Sequence, residues 1–322
     1  MDVIKSNNCT VYVHGVNDLN DVVIDAGGLS NIFTVNSSSA LRLENIICKG
    51  GSSENGGAIE SRGSLILDNC SLENNNARSG GALFALLSSL NKCEIVNTEF
   101  TDNTAIIGGS AYIFGQSNDF KMTNSTFKNS EASNGGGFYF LGDNLNIILS
   151  DIDFYNNKAL VNNLLSDGLG GGLGLFGIFN CSLTKANIHD NEATFGVGVC
   201  AMGTLSVDSN MSIADCNISN NEALNYGEGV LVHSVYDGGI CSNSGTQDVD
   251  DQTKTKFSGN KLNVPLLVLT LAKFDFQKYF FFYLFLIIYD CLVLKLLWFG
   301  LCCVNLEFHV IKIKHNCLSF VF

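Results

Sequence analysis

Carboxylates are the residues here whose chemistry is easiest to name. Asp151 and Asp153 stand two apart, and Asp167 closes a short insertion, Asn162 to Asp167, that follows them. Two or three carboxyl groups on one face are what glycosidic bond hydrolysis requires, one acting as acid and one as base or nucleophile. The basic groups that a lyase would need are sparse. Arg occurs only at 42, 62 and 78, and His14, His189 and His233 do not share a repeat column. Gly172-Leu173-Gly174-Leu175-Phe176-Gly177 matches the dinucleotide fingerprint, with Asp190 and Glu192 further on. That fingerprint works only between a strand and a helix, and this copy falls on a repeating glycine site. The same stretch approaches a calcium-binding nonapeptide, but Phe176 stands where the Asp ligand belongs. No cofactor or metal is expected.

The elements that must position these carboxylates come from a repeat. One nine-residue phrase starts at Asn69, Asn97, Asn124, Asp151, Lys185 and Asp215. Its fourth residue is apolar: Leu72, Phe100, Phe127, Phe154, Ile188 and Ile218. Its sixth is Asn or Asp. Its seventh is Asn75, Asn103, Asn157, Asn191 or Asn221, with Ser130 as the departure, and its ninth is Ala. Glycine doublets follow at Gly56-Gly57, Gly80-Gly81, Gly108-Gly109 and Gly135-Gly136, then at Gly170-Gly171, with weaker sites at 196 and 227. Successive sites lie 24, 28, 27, 35, 26 and 31 residues apart. A period in the twenties means a solenoid whose repeats bury their apolar faces against one another.

Short apolar runs, β-branched or aromatic and bounded by Gly and Asn, follow each glycine site. Ala111 to Phe114 and Phe138 to Phe140 are examples. Such runs read as strands, and no helical period persists between residues 20 and 240. Three strands per repeat stacked in register predict an all-β, single-stranded parallel β-helix. The glycines suit corners with positive φ or a close backbone. Asn suits left-handed turns and amide stacking from coil to coil. Cys70 and Cys216 share one column, and Cys93 and Cys181 another, which points to small apolar residues stacked in the core; the cysteine pattern does not define disulfides.

Apolar-x-x-Asn (Phe100 to Asn103, Phe154 to Asn157) combined with Gly-Gly-Ala-aliphatic (Gly56 to Ile59, Gly80 to Leu83) resembles the polymorphic outer membrane protein repeat. The resemblance covers residues 20 to 240. It implies a right-handed, pectin-lyase-like β-helix and a role in adhesion or cell-surface display. It also brings in polysaccharide-cleaving β-helices as the enzymatic alternative, with Asp151, Asp153 and Asp167 as candidates.

Composition sets further limits. The 322 residues are 46% hydrophobic and 15% charged, with 33 Gly, one Pro and a net charge of −13. Residues 262 to 322 carry five Lys against three acids, so the first 261 stand near −15. That balance argues against nucleic acid as a partner. The expected organisation is incomplete or capping coils over 1–55, the array over 56–240, an acidic linker or frayed coil over 241–261, and a hydrophobic tail over 262–322. Within the tail, 279–304 is long and apolar enough to span a membrane, though Asp290 and Lys295 oppose it. The alternative is that the tail is translated non-coding sequence. Met1 to Thr10 shows no signal peptide, which keeps an intracellular scaffold as a third reading. The leading expectation is a non-catalytic surface scaffold whose partner is a surface protein or glycan.

Overall fold

Corners are where this chain commits to its path. In a computed structural model, which describes residues 4–6, 9–16, 22–116, 119–160, 168–203, 209–226, 229–233, 235–237, 256–258 and 261–262, the first residue of every nonapeptide has positive φ. These are Asn69, Asn97, Asn124, Asp151, Lys185 and Asp215, at 48 to 58°. The sixth residues (Asn74, Asp102, Asn129, Asn156, Asp190, Asn220) do the same at 51 to 55°. Asn and Asp tolerate this left-handed region because their short polar side chains bond locally. Between the two corners, three residues extend as a strand and point the fourth inward.

The result is an all-β parallel solenoid of about seven turns, with no helix among the described residues. Four ladders make up a turn. The first runs through Phe33–Val35, Ile59–Ser61, Leu83–Leu87, Ala111–Gln116, the starts of Phe138–Tyr155 and Leu173–Thr184, Val199–Gly203 and Val230–His233. The second stacks Ala40–Glu44, Ser64–Asp68, Cys93–Val96 and their successors as far as Ser209–Ala214 and Val235–Asp237. The third is the nonapeptide strand, from Val23–Asp25 through Ser71–Glu73 and Glu99–Thr101 to Lys256–Ser258. Every pairing is parallel and joins equivalent positions, such as Leu72 with Phe100 and Phe127 with Phe154.

The fourth ladder was not expected from three apolar runs per repeat. It comprises Ser52–Asn55, Asn76–Ser79, Glu131–Ala132, Lys158–Ala159, Glu192–Phe195 and Glu222–Tyr226, with bridges at Thr104 and Ile107. It buries little beyond the ninth-position alanines. Ala159, Ala193 and Ala223 cluster with Val197, which stands in the weakened glycine site. With so few apolar residues, hydrophobic patterning could not announce it.

Register also extends the repeat at both ends. Cys48 pairs with Leu72, which makes Asn45 to Ser53 a further copy with Gly50 at its left-handed sixth position. Phe257 pairs with Ile218 and Lys261 with Glu222, so strand pairing reaches into 256–262.

The core is a stack of columns. The nonapeptide's fourth residues are buried, and Phe100, Phe127 and Phe154 stack at ring distances of 4.5 and 5.0 Å. Buried thiols fill small gaps: Cys48, Cys70, Cys93, Cys181, Cys200 and Cys216 are not joined in disulfides. Burial pushes Cys93 and Cys181 up to about 12, and Cys70 and Cys216 up to about 11. Such thiols behave as small apolar side chains.

The two glycines of each doublet do different jobs. Gly56, Gly80, Gly108 and Gly135 have φ of 58 to 67°. A Cβ on Gly57, Gly81 or Gly109 would sit 2.0 to 2.2 Å from the carbonyl oxygen of the next coil's glycine.

Candidate functional site

The third ladder has an inside that builds the coil and an outside that differs from coil to coil. Inside, the seventh-position amides form a buried column. Each Asn Oδ1 accepts the backbone N–H of the equivalent residue one coil earlier: Gly51 to Asn75, Asn75 to Asn103, Ser130 to Asn157, Asn157 to Asn191 and Asn191 to Asn221. Each Nδ2 donates to the carbonyl of the apolar residue one coil back, as Asn157 does to Phe127 and Asn191 to Phe154. It also donates to the next amide in the column, except where Ser130 interrupts. An amide so placed satisfies the polar backbone of a tight buried corner.

The two departures from the repeat answer each other. Ser130 is too short to replace an Asn, and Ser110 replaces the Ala found at 58 and 82. Their hydroxyls meet at 2.7 Å, both buried, while Ser130 Oγ accepts the N–H of Asn103 at 3.3 Å.

Outside, the candidate carboxylates separate. Asp151 occupies the left-handed corner and accepts the Ser150 hydroxyl at 2.7 Å, a turn role like that of Asn124 one coil away. Asp153 lies on the outward face of the strand. Its Oδ1 accepts Asn187 Nδ2 at 3.3 Å and is 3.3 Å from His189 Nε2. Asp167 and the insertion lie outside the described residues. Asp153 therefore meets Asn187 and His189, and His189 in turn meets Asp190. His189 Nδ1 is 2.6 Å from Asp190 Oδ2, and its ring stacks on Tyr155 at 5.2 Å with planes 6° apart. Half-burial pushes the Asp153 carboxyl above the usual carboxylate range, with His189 and Asn187 pulling the other way. The available signal was positional: Asp153 is the third residue of one copy and His189 the fifth of the next, which makes them diagonal neighbours.

Beside this cluster runs a groove of about 670 Å³ along the corner between the third and fourth ladders. The sixth to eighth positions of four successive copies line it: Asn129 to Glu131, Asn156 with Lys158, Asp190 to Glu192, and Asn220 with Glu222. Lys158 is paired with Glu192 at 3.0 Å. Apart from Ser130 and Lys158 the lining is amide and carboxylate, suited to a polar, extended ligand. Its size lies within the range of ligand clefts, but it lacks the apolar walls typical of small-molecule pockets.

The other motifs resolve into structure. Leu173 to Gly177 enters the first ladder as strand, and Gly172, just before it, lies under the carbonyl of Gly198. His14 faces Glu44 at 3.7 Å, in a coil well before the Asp153 cluster. No set of His, Cys, Asp or Glu among the described residues is arranged to hold a metal ion. The segment 279–304 lies outside the described residues.

No protein family, curated protein or solved structure matches the chain.

Proposed function

We propose that the chain is a non-catalytic, adhesin-like β-helix protein displayed at a cell surface, whose outward faces bind a glycan or a surface protein. One observation carries this reading: the recurring residues are consumed by the coil itself. The amide column, both corners, the doublet glycines and the apolar column serve neighbouring turns, and the residues that vary from coil to coil face outward. A solenoid with variable outward rows is a display platform. The repeat's resemblance to polymorphic outer membrane proteins supports the surface assignment and a right-handed, pectin-lyase-like coil. Residues 279–304 would supply a membrane anchor.

The Asp153 cluster favours a second reading, cleavage of a polysaccharide lying in the groove. A carboxyl pushed upward beside a polar groove suits a general acid. Against it, a carboxylate occupies each nitrogen of His189, so the ring has none to offer a substrate in this arrangement. The test is incubation with neutral and uronate-containing polysaccharides while new reducing ends and unsaturated products are followed. No turnover is expected, with surface labelling of intact cells reporting the protein. Cleavage abolished by Asp151→Asn with Asp153→Asn would replace the scaffold reading with the enzymatic one.

A further inference from the structure

Outward positions of the first ladder differ from those of the other ladders. Along one row stand Phe84, Tyr112 and Tyr139, one per coil, in register. Their rings cross at 75° and 78° with centroids 5.5 and 5.4 Å apart. The next coil has Gly174 in this row, and Phe176 leans over it to stack on Tyr139 at 4.7 Å. A Cβ on Gly174 would meet both rings, at 3.0 and 3.2 Å. The glycine therefore lets the aromatic row continue where the side-chain column is interrupted, as cross-strand aromatic cover does for glycines elsewhere.

A second row runs beside it: Leu86, Phe114, Leu141, Phe176 and Met202. Phe114 is 37% exposed, and the others are half-buried. Neither row carries a charge from the coil of Phe84 to the coil of Met202. The preceding coil carries Glu60, which is paired with Arg62 at 3.1 Å.

We propose that this strip is a stacking platform for a neutral polysaccharide lying along the helix axis. The proposal rests on the surface-binding reading above and names its ligand class. Three features select that ligand. The strip is uncharged in a chain of net charge −13, so an anionic polymer is repelled from the surroundings and a cationic one finds no partner within it. Sugar rings present an apolar C–H face to an aromatic ring and a hydroxyl rim to polar groups. Tyr112 and Tyr139 are apolar along the ring and polar at the tip, which matches that division. Rows recurring at the coil spacing of about 4.8 Å make a strip about 19 Å long, and two outward residues wide. With side-chain margins it covers roughly 300 Å², well under the ~800 Å² per partner that a stable protein dimer buries, so a second copy is the poorer occupant.

The test is binding of cellohexaose and chitohexaose to the full chain, by calorimetry and by quenching of tyrosine fluorescence, with polygalacturonate as the anionic control. Binding of a neutral hexasaccharide is expected, weakened tenfold or more by Phe114→Ser and by Tyr112→Ser, with polygalacturonate not bound. Lys121→Ala, on the outward face of the second ladder, is expected to leave binding unchanged. Phe114→Ser removes an exposed ring and keeps the fold, which the β-type circular dichroism of each variant checks. Unchanged binding in both strip variants overturns the platform. If binding is then lost in Glu131→Gln with Glu192→Gln, the surface-binding reading survives and moves to the groove. Absence of binding to either neutral hexasaccharide overturns the proposal, as does concentration-dependent dimerisation that Phe114→Ser abolishes, which would make the strip a self-association surface. Cleavage of the probe overturns the non-catalytic reading itself.

Discussion

The inner and outer sides of the third ladder are the same three-residue strand seen from opposite faces, yet they follow different rules. Inward, an aromatic or aliphatic side chain recurs in the fourth column, with an amide three residues on. Outward, the third and fifth positions read Glu99 and Thr101, then Thr126 and Lys128, then Asp153 and Tyr155, then Asn187 and His189. A buried position must satisfy the coil on each side of it, so its identity is constrained twice. An outward position meets neighbours on one side and solvent on the other. In a stacked fold, repetition therefore marks structural duty, and function has room where repetition stops.

The sharpest way to break this contrast is to remove one member of the amide column. Asn157→Ala takes the amide partner from the Ser130 N–H and the Phe127 carbonyl, while the Asn191 side-chain oxygen keeps the N–H of residue 157. At about 1–3 kcal/mol for each of these two buried groups, the loss comes to roughly 2–6 kcal/mol. Because stability in a solenoid is a sum of neighbour contacts, a lesion in mid-array is expected to split urea unfolding into two transitions. A single transition at an unchanged midpoint would show that the column is not what joins the turns. Phe127→Ala is the apolar counterpart. It opens a cavity between Phe100 and Phe154 and is expected to cost about 3–5 kcal/mol, read from the same urea curves.

The serine pair tests whether the two columns are independent. Ser130→Asn restores the repeat at the seventh position but drives an amide towards the Ser110 hydroxyl, and Ser110→Ala alone takes away the shortest of the contacts of the Ser130 hydroxyl. Each single change is expected to destabilise by about 1–2 kcal/mol. The double variant should recover most of that loss, with a coupling of about 1–3 kcal/mol in a double-mutant cycle. Strict additivity would mean that the hydroxyl contact carries no energy.

How much of this was legible in the sequence follows the same division. Leu72 to Ile218 and Asn75 to Asn221 could be read because each recurs at a fixed offset. The two outer copies were harder. Asn45 to Ser53 has Cys48 and Gly51 in the diagnostic columns, while Phe257 and Asn260 keep the apolar-x-x-Asn spacing in a stretch dominated by polar residues. The fourth ladder has too few apolar residues to show a period. The contact between Asp153 and His189 was hidden because it is diagonal across coils that an insertion separates by 36 residues in sequence. The Ser110–Ser130 contact joins two ladders, so alignment within one column shows two defects rather than one pair.

The smallest expected effect lies outside, at Asp153, and its sign matters more than its size. Half-burial raises the Asp153 carboxyl in the folded chain above the ~3.9 of an unfolded Asp. A carboxyl raised in this way favours the folded state below its unfolded value, and that contribution is lost as pH rises through the folded value. Asp153→Asn abolishes the titration. The variant should therefore gain on the wild type in thermal melts as pH rises past the ~3.9 of an unfolded Asp, by no more than about 1 kcal/mol for a group this exposed. A variant that instead loses ground over that rise would mean that the attraction of His189 outweighs burial. The outer cluster would then be a built ion pair, held together as firmly as an inner column, and the contrast between the two faces would fail at the one place where the enzymatic reading needs it to.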